Sequence, residues 1–164
     1  LAEGGTVRPG DRLALRIEVR EPTHVYVLNE DDRGDLFVLF PLPGLVPGNP
    51  LPAGSHRLPG TLDDRQQSWE VTSAGGRERF LVVASRQALP HLEQLQATLE
   101  RARPGRPVER PTSQTDVGET LRGIGGLTSS PAAGASRLGA IRSDLLARTP
   151  APVWMEIFEL DNPG

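Results

Sequence analysis

The sequence has no cysteine and no lysine, and its 164 residues include only four phenylalanines, two tryptophans and one tyrosine. Lack of cysteine excludes disulfides, a thiolate nucleophile and cysteine-ligated zinc or iron–sulfur centres, while leaving the compartment open. Lack of lysine makes all eighteen basic residues arginine, as a GC-rich coding bias produces, and they are scattered along a chain of formal net charge −3. Polyanions are held by a concentrated positive face, so nucleic acid is not expected as a partner. Long apolar runs are missing too. None approaches the roughly 20 residues that cross a bilayer, and no charged-then-apolar leader is present, so direct membrane insertion by this chain is not expected. The length suits a single domain, able to bury roughly 70% of the surface of its unfolded form. Leu1 is not an initiator methionine, which leads us to expect a piece of a longer or processed protein.

The few aromatics cluster. Tyr26, Phe37 and Phe40 lie in Val25–Pro41, and Trp69 follows downstream. Two apolar runs, Val25 to Leu28 and Leu36 to Phe40, flank a polar turn with Asn29, Asp31, Asp32 and Gly34. Asn, Asp and Gly tolerate the positive φ of a tight reversal, so the stretch predicts a β-hairpin in the core. Before it, Leu13, Leu15, Ile17 and Val19 alternate with Arg12, Arg16, Glu18 and Arg20, the period of a strand with one wet face. After it, prolines and glycines from Pro41 to Gly54 rule out helix and interior strand. They predict a surface loop with Leu45, Val46 and Leu51 as plugs. Ser55 to Pro59 reads as an edge strand. Trp69 and Val71 share a face of a further strand, which Ser73–Gly76 reverses into the apolar run Arg77–Ser85, a second hairpin with a central strand.

Beyond Ser85 the period changes. Leu92, Leu95 and Leu99 are spaced as a helix over about 90–102, with Pro90 in its first turn. Residues 103–111 read as a flexible linker, Asp116 to Arg122 as a short helix, and 125–134 as mobile. Leu138, Ile141, Leu145 and Leu146 stripe a helix over 135–148, and Val153 to Leu160 returns to strand. The expected fold is one domain over 1–164. It has a β core over 5–88, a helical insertion over 89–149 and a closing strand over 152–160. That makes a mainly β, antiparallel, immunoglobulin-like sandwich with two or three helices before its final strand.

Chemistry is sparse. Asn29–Asp35 resembles a calcium loop, but Arg33 stands where a ligand is needed and Phe40 where a bidentate Glu is needed, so a solvated turn is favoured. Asp63–Asp64 reads as a turn. His24, His56 and His91 lack ligand spacing, which favours ordinary imidazoles over zinc. His56, Asp64 and Ser85 form a triad only on paper, because Ser85 lacks the Gly-x-Ser-x-Gly elbow. Gly123–Gly126 lacks the lysine of a phosphate loop. Trp69 and Trp154 are expected in the core, with an aromatic ligand patch as the alternative. Arg12, Arg16 and Arg20 are expected as a solvated face. No catalytic residue, cofactor or metal ligand is assigned.

Arg8–Leu13, Val25–Asn29, Gly34, Leu39–Pro41, Pro52–Gly54, Leu58–Gly60 and Gly76–Ser85 together resemble the DUF4384 family of bacterial domains over residues 5 to about 90. The resemblance implies an accessory module appended to larger signalling or envelope proteins, among them protein kinases, caspase-like peptidases and membrane-anchored regulators of anti-sigma type. It brings no catalytic motif and no ligand. We therefore expect a non-catalytic binding or sensing module whose partner is a protein or envelope component. The loop residues Leu42, Leu45, Val46, Asn49 and Leu51 are the candidate contacts. Its favoured location is the extracytoplasmic or periplasmic side of a membrane-anchored bacterial protein, with the cytoplasm as the alternative. The other functional readings are a small hydrolase or metal-dependent enzyme built on His56, Asp63, Asp64 and Ser85, and a structural spacer.

Overall fold

A computed structural model of the chain describes residues 4–101, 136–149 and 152–164. The alternating stretch near the start forms β1 (Arg12–Leu13) and β2 (Leu15–Val19), with Leu15 and Val19 buried and Arg16 and Glu18 turned outward or toward the rim. The aromatic hairpin forms as expected from β3 (His24–Glu30) and β4 (Leu36–Phe40), antiparallel with an irregularity at Val27/Leu28. Asp31 closes its turn by accepting the Arg33 and Asp35 amides at 3.0 and 2.8 Å. β5 (Gly54–Leu58) pairs with β2, in register Leu15 with Leu58. β6 (Thr61–Leu62) and β7 (Arg65–Gln66) make a minimal hairpin whose two turn residues, Asp63 and Asp64, have φ of 48° and 60°. Two consecutive positive φ values are the geometry that matches the twist of paired strands.

β8 (Trp69–Glu70) pairs with β1, and β9 (Gly76–Ser85) lies between β3 and a strand from the chain's far end. The second hairpin expected from Ser73–Gly76 is therefore not formed. That turn carries the chain from a covering layer into the central sheet, because Trp69 is held by the layer above and β9 needs apolar cover on both faces. Next come α1 (Pro90–Thr98) and β10 (Glu100–Arg101), a short parallel partner of β4. α1 ends earlier than its leucine spacing predicts, with Leu99 already extended. α2 (Arg137–Arg148) and β11 (Val153–Asn162) complete the described chain. The expected linker at 103–111, the helix at 116–122 and the stretch 125–134 lie outside the described residues.

The central sheet has five strands in the order β10, β4, β3, β9, β11, antiparallel except at β10. Strand alternation divides its apolar residues between two layers. One face carries Val25, Val27, Phe80 and Val82, covered by Leu15, Val19, Leu58 and Trp69 of the small ribbons. The other carries Tyr26, Leu28, Leu81 and Val83, covered by Leu92 and Leu95 of α1 and Leu138, Ile141 and Leu145 of α2. Among the described residues the fold is mainly β, with two helices on one face of the central sheet and open antiparallel ribbons on the other. β3 and β9 read as continuous apolar runs because they are covered on both faces.

Candidate functional site

The loop after β4 is built inward before it faces out. Leu42, Leu45 and Leu51 are buried, Leu51 completely. Asn49 replaces a missing strand: its Oδ1 accepts the Val25 amide at 3.0 Å, and its Nδ2 donates to the Val25 carbonyl at 2.7 Å. Thr23 and Leu51 exchange backbone hydrogen bonds of 2.9 and 2.8 Å, and Val46 and Thr61 exchange bonds of 2.9 and 2.7 Å. Among the five loop candidates, Val46 is the exposed one, at 66%, and Asn49 is partly buried. Leu42, Leu45, Asn49 and Leu51 hold that tip in place. Gly60 makes the close approach feasible: with φ of +108°, a Cβ there would stand 2.3 Å from the Val46 carbonyl oxygen.

The paper triad is not assembled. His56 lies on β5 opposite Ile17, and its Nε2 is 2.7 Å from the Pro52 carbonyl oxygen. Ser85 shares the helix-covered side of β9 with Leu81 and Val83, is buried, and accepts the Gln87 amide at 3.2 Å. The central sheet separates the two, and Asp63 and Asp64 belong to the β6–β7 turn. Among the described residues, no three of His, Asp and Glu converge to hold a metal ion. No described helix is long and apolar enough to cross a membrane.

Two polar devices join the sheet to its helices. Tyr26 is fully buried, donates its hydroxyl to Glu93 Oε1 at 2.9 Å and accepts the Leu89 amide at 3.0 Å, at the start of α1. Burial pushes its phenol up to about 12; the Leu89 amide opposes this and Glu93 adds to it. Because the neutral phenol is favoured in the folded state, its stabilising share is complete below the unfolded value of 10.0 and is lost as pH climbs from there to about 12. As the chain's single tyrosine, its phenolate absorbance titrates alone. We expect a native midpoint near 12 that falls to about 10 in denaturant; a native midpoint near 10 would show the hydroxyl is not sealed. The second device is Glu30, buried at the other end of β3. It accepts Ser136 Oγ at 2.6 Å and the amides of Arg137 and Leu138, each at 3.0 Å. A sheet carboxylate thus satisfies the first donors of α2.

The family model described as "domain of unknown function (DUF4384)" matches residues 6–88, slightly more than half the chain. The chain belongs to the DUF4384 family. No curated protein and no solved structure matches it. The DUF4384 match takes in β1 to β9, the Val46 loop and both carboxyl-bearing turns, and stops before α1. Completion of the central sheet by β11 therefore uses residues beyond the DUF4384 match.

Sequence reasoning missed two features of this DUF4384 chain. Trp69 fills the core as expected, donating Nε1 to the Leu39 carbonyl at 3.0 Å. Trp154, also expected in the core, is instead 49% exposed. It shares a face of β11 with Phe158 and Leu160, but the covering ribbons reach only those two. The role of Glu30 was also hidden. Its place in a polar turn motif masks burial, and the helix it caps lies more than a hundred residues onward.

Proposed function

We propose that this DUF4384 domain is a non-catalytic binding or sensing module of a larger bacterial signalling or cell-envelope protein, acting on the extracytoplasmic side of its membrane. The ribbon of β2 and β5 over the central sheet serves as an immunoglobulin-like scaffold, and the loop after β4 meets a protein or envelope component. One observation carries the reading. Val46 stands 66% exposed at the tip of a loop that is tied down by Asn49 to Val25, Leu51 to Thr23 and Val46 itself to Thr61. An apolar side chain held in water on backbone that has already lost its conformational freedom adds contact area with little further ordering cost. Leu42, Leu45, Asn49 and Leu51 act as positioning residues for it.

A photo-crosslinking amino acid at position 46 of the parent protein, expressed in its own cell, tests this. The expected result is one discrete adduct that Val46→Asp competitors fail to displace, while the isolated Val46→Asp domain keeps its stability within about 0.5 kcal/mol, as surface substitutions do. Absence of any adduct, with Val46→Asp leaving the parent's activity untouched, would reduce the domain to a spacer.

A further inference from the structure

A chain of four polar side chains, Asn29, Glu78, Ser73 and Asn162, runs across the sheet where the end of β11 meets the turn leading into β9. Asn162, buried, is the final residue of β11 and stands opposite Gly76. Its Nδ2 donates to the Ser73 carbonyl at 3.1 Å and to Ser73 Oγ at 2.9 Å, and its Oδ1 accepts the Gly164 amide at 3.1 Å. A carbonyl only accepts and an amide N–H only donates, so both ends of the side chain fix the same orientation. Ser73 Oγ in turn donates to Glu78 Oε1. The other Glu78 oxygen accepts Asn29 Nδ2 at 3.0 Å, and Asn29 is also tied to the Arg79 carbonyl at 3.1 Å.

Glu78 is buried without a cation among the described residues, since its neighbours Arg77 and Arg79 pair with Glu159 and Asp161. Burying a carboxylate among neutral groups costs desolvation that a glutamine in the same place would avoid. That cost points to a chemical use, and the parts of an acyl transfer lie around it. Ser73 Oγ is a nucleophile whose hydrogen is already directed at a carboxylate base. Asn162 offers an amide whose nitrogen touches that oxygen and whose carbonyl oxygen is polarised by the Gly164 N–H, the service an oxyanion donor performs. Attack requires Oγ above the amide plane rather than in it, and the broad χ2 well of asparagine permits that turn. Burial of Asn162 and Glu78 shields the product from water.

We propose that Ser73 and Asn162 join in an intramolecular ester, with Glu78 as the base, locking the end of β11 covalently to the turn before β9. Ser73 Oγ bonds to Asn162 Cγ as its proton passes to Glu78. The tetrahedral intermediate then breaks its Cγ–Nδ2 bond, Glu78 returns the proton to the departing nitrogen, and ammonia leaves. One alcohol and one amide become one ester and one ammonia, so the step balances without a further reactant. Dilution of the ammonia, protonated to ammonium in neutral solution, draws the reaction forward. The proposal is independent of the Val46 reading.

Intact-mass measurement of the folded chain reads the step directly. The unmodified sequence is expected to weigh less than its composition requires by the mass of one ammonia. Trypsin, which cuts after arginine, should then leave residues 66–77 and 149–164 joined, and hydroxylamine, which cleaves esters, should part them. Ser73→Ala removes the nucleophile and Glu78→Gln the base, and each is expected to show full mass and two separate peptides. A folded wild-type chain that keeps its full mass after days at neutral pH overturns the proposal. So does a mass deficit that persists in Ser73→Ala, a joined peptide that resists hydroxylamine, or joining that is undiminished in Glu78→Gln.

Discussion

Glu30→Ala is expected to lower the unfolding free energy by about 4 kcal/mol, measured by urea denaturation. The change leaves three donors at the start of α2 without an acceptor: Ser136 Oγ and the amides of Arg137 and Leu138. The Leu138 amide, whose bond is buried, costs about 1–3 kcal/mol as an orphan, the part-buried Ser136 and Arg137 donors cost less, and deletion of the buried Glu30 side chain adds a cavity cost. Ser136→Ala is the graded control. It removes only the cap that accepts the Gly139 amide at 3.2 Å and one of the three donors, so a loss of about 1 kcal/mol is expected. Equal losses for the two variants would mean that the Glu30 carboxylate does not hold the helix.

Gly60→Ala is the second large effect, at about 3 kcal/mol. The new Cβ meets the Val46 carbonyl oxygen at 2.3 Å and its carbon at 2.9 Å. These are backbone atoms on a strand-like contact with Thr61 and cannot rotate away. The φ of +108° adds strain for any residue with a side chain. The consequence should be local as well as global. Amide exchange at Val46 and Thr61 is expected to quicken far more than exchange in β9, because the pair opens to relieve the clash. Gly44 is the control, since a Cβ there meets only the flexible Leu62 side chain at 3.8 Å and its φ of +80° is the sole penalty.

Period-two alternation in Leu13 to Val19, the paired apolar runs around Asn29–Gly34 and the leucine spacings of α1 and α2 each report a local preference; the hairpin and both helices formed, α1 stopping at Thr98, while the single alternating strand split into β1 and β2, which pair with different strands. The errors concern partners. β8 and β9 are neighbours in sequence with a good turn between them, yet Leu13 claims Trp69 and the hairpin gives way. Nothing in the alternation of residues 67–72 tells which layer will take Trp69, because burial on either side rewards the same pattern. Trp154 failed for the opposite reason: its strand forms and its face is the right one, but the covering ribbons are too short to reach it. Coverage is a property of three-dimensional extent, which spacing along one strand does not encode. In the loop, Leu45 and Leu51 are the buried plugs that the proline-punctuated segment predicts, but Val46, expected as a third plug, is 66% exposed because its backbone pairs with Thr61 and its side chain is left outside. Asn49 as a surrogate strand and Gly60 as the seat of Val46 required knowing which backbones come close.

The position of β9 governs how the chain can reach its folded state. Its two neighbours are β3, from the first fifth of the chain, and β11, from the last ten or so residues. During synthesis β3, β4 and β9 can associate early, but the β11 side of β9 stays unsatisfied until α1, α2 and then β11 have been made. Closing such distant contacts is slow, since the loop entropy is lost before the pairing repays it. The nascent chain therefore carries an apolar strand open to any passing edge until β11 is made, and β11 functions as the stopper that ends this exposure.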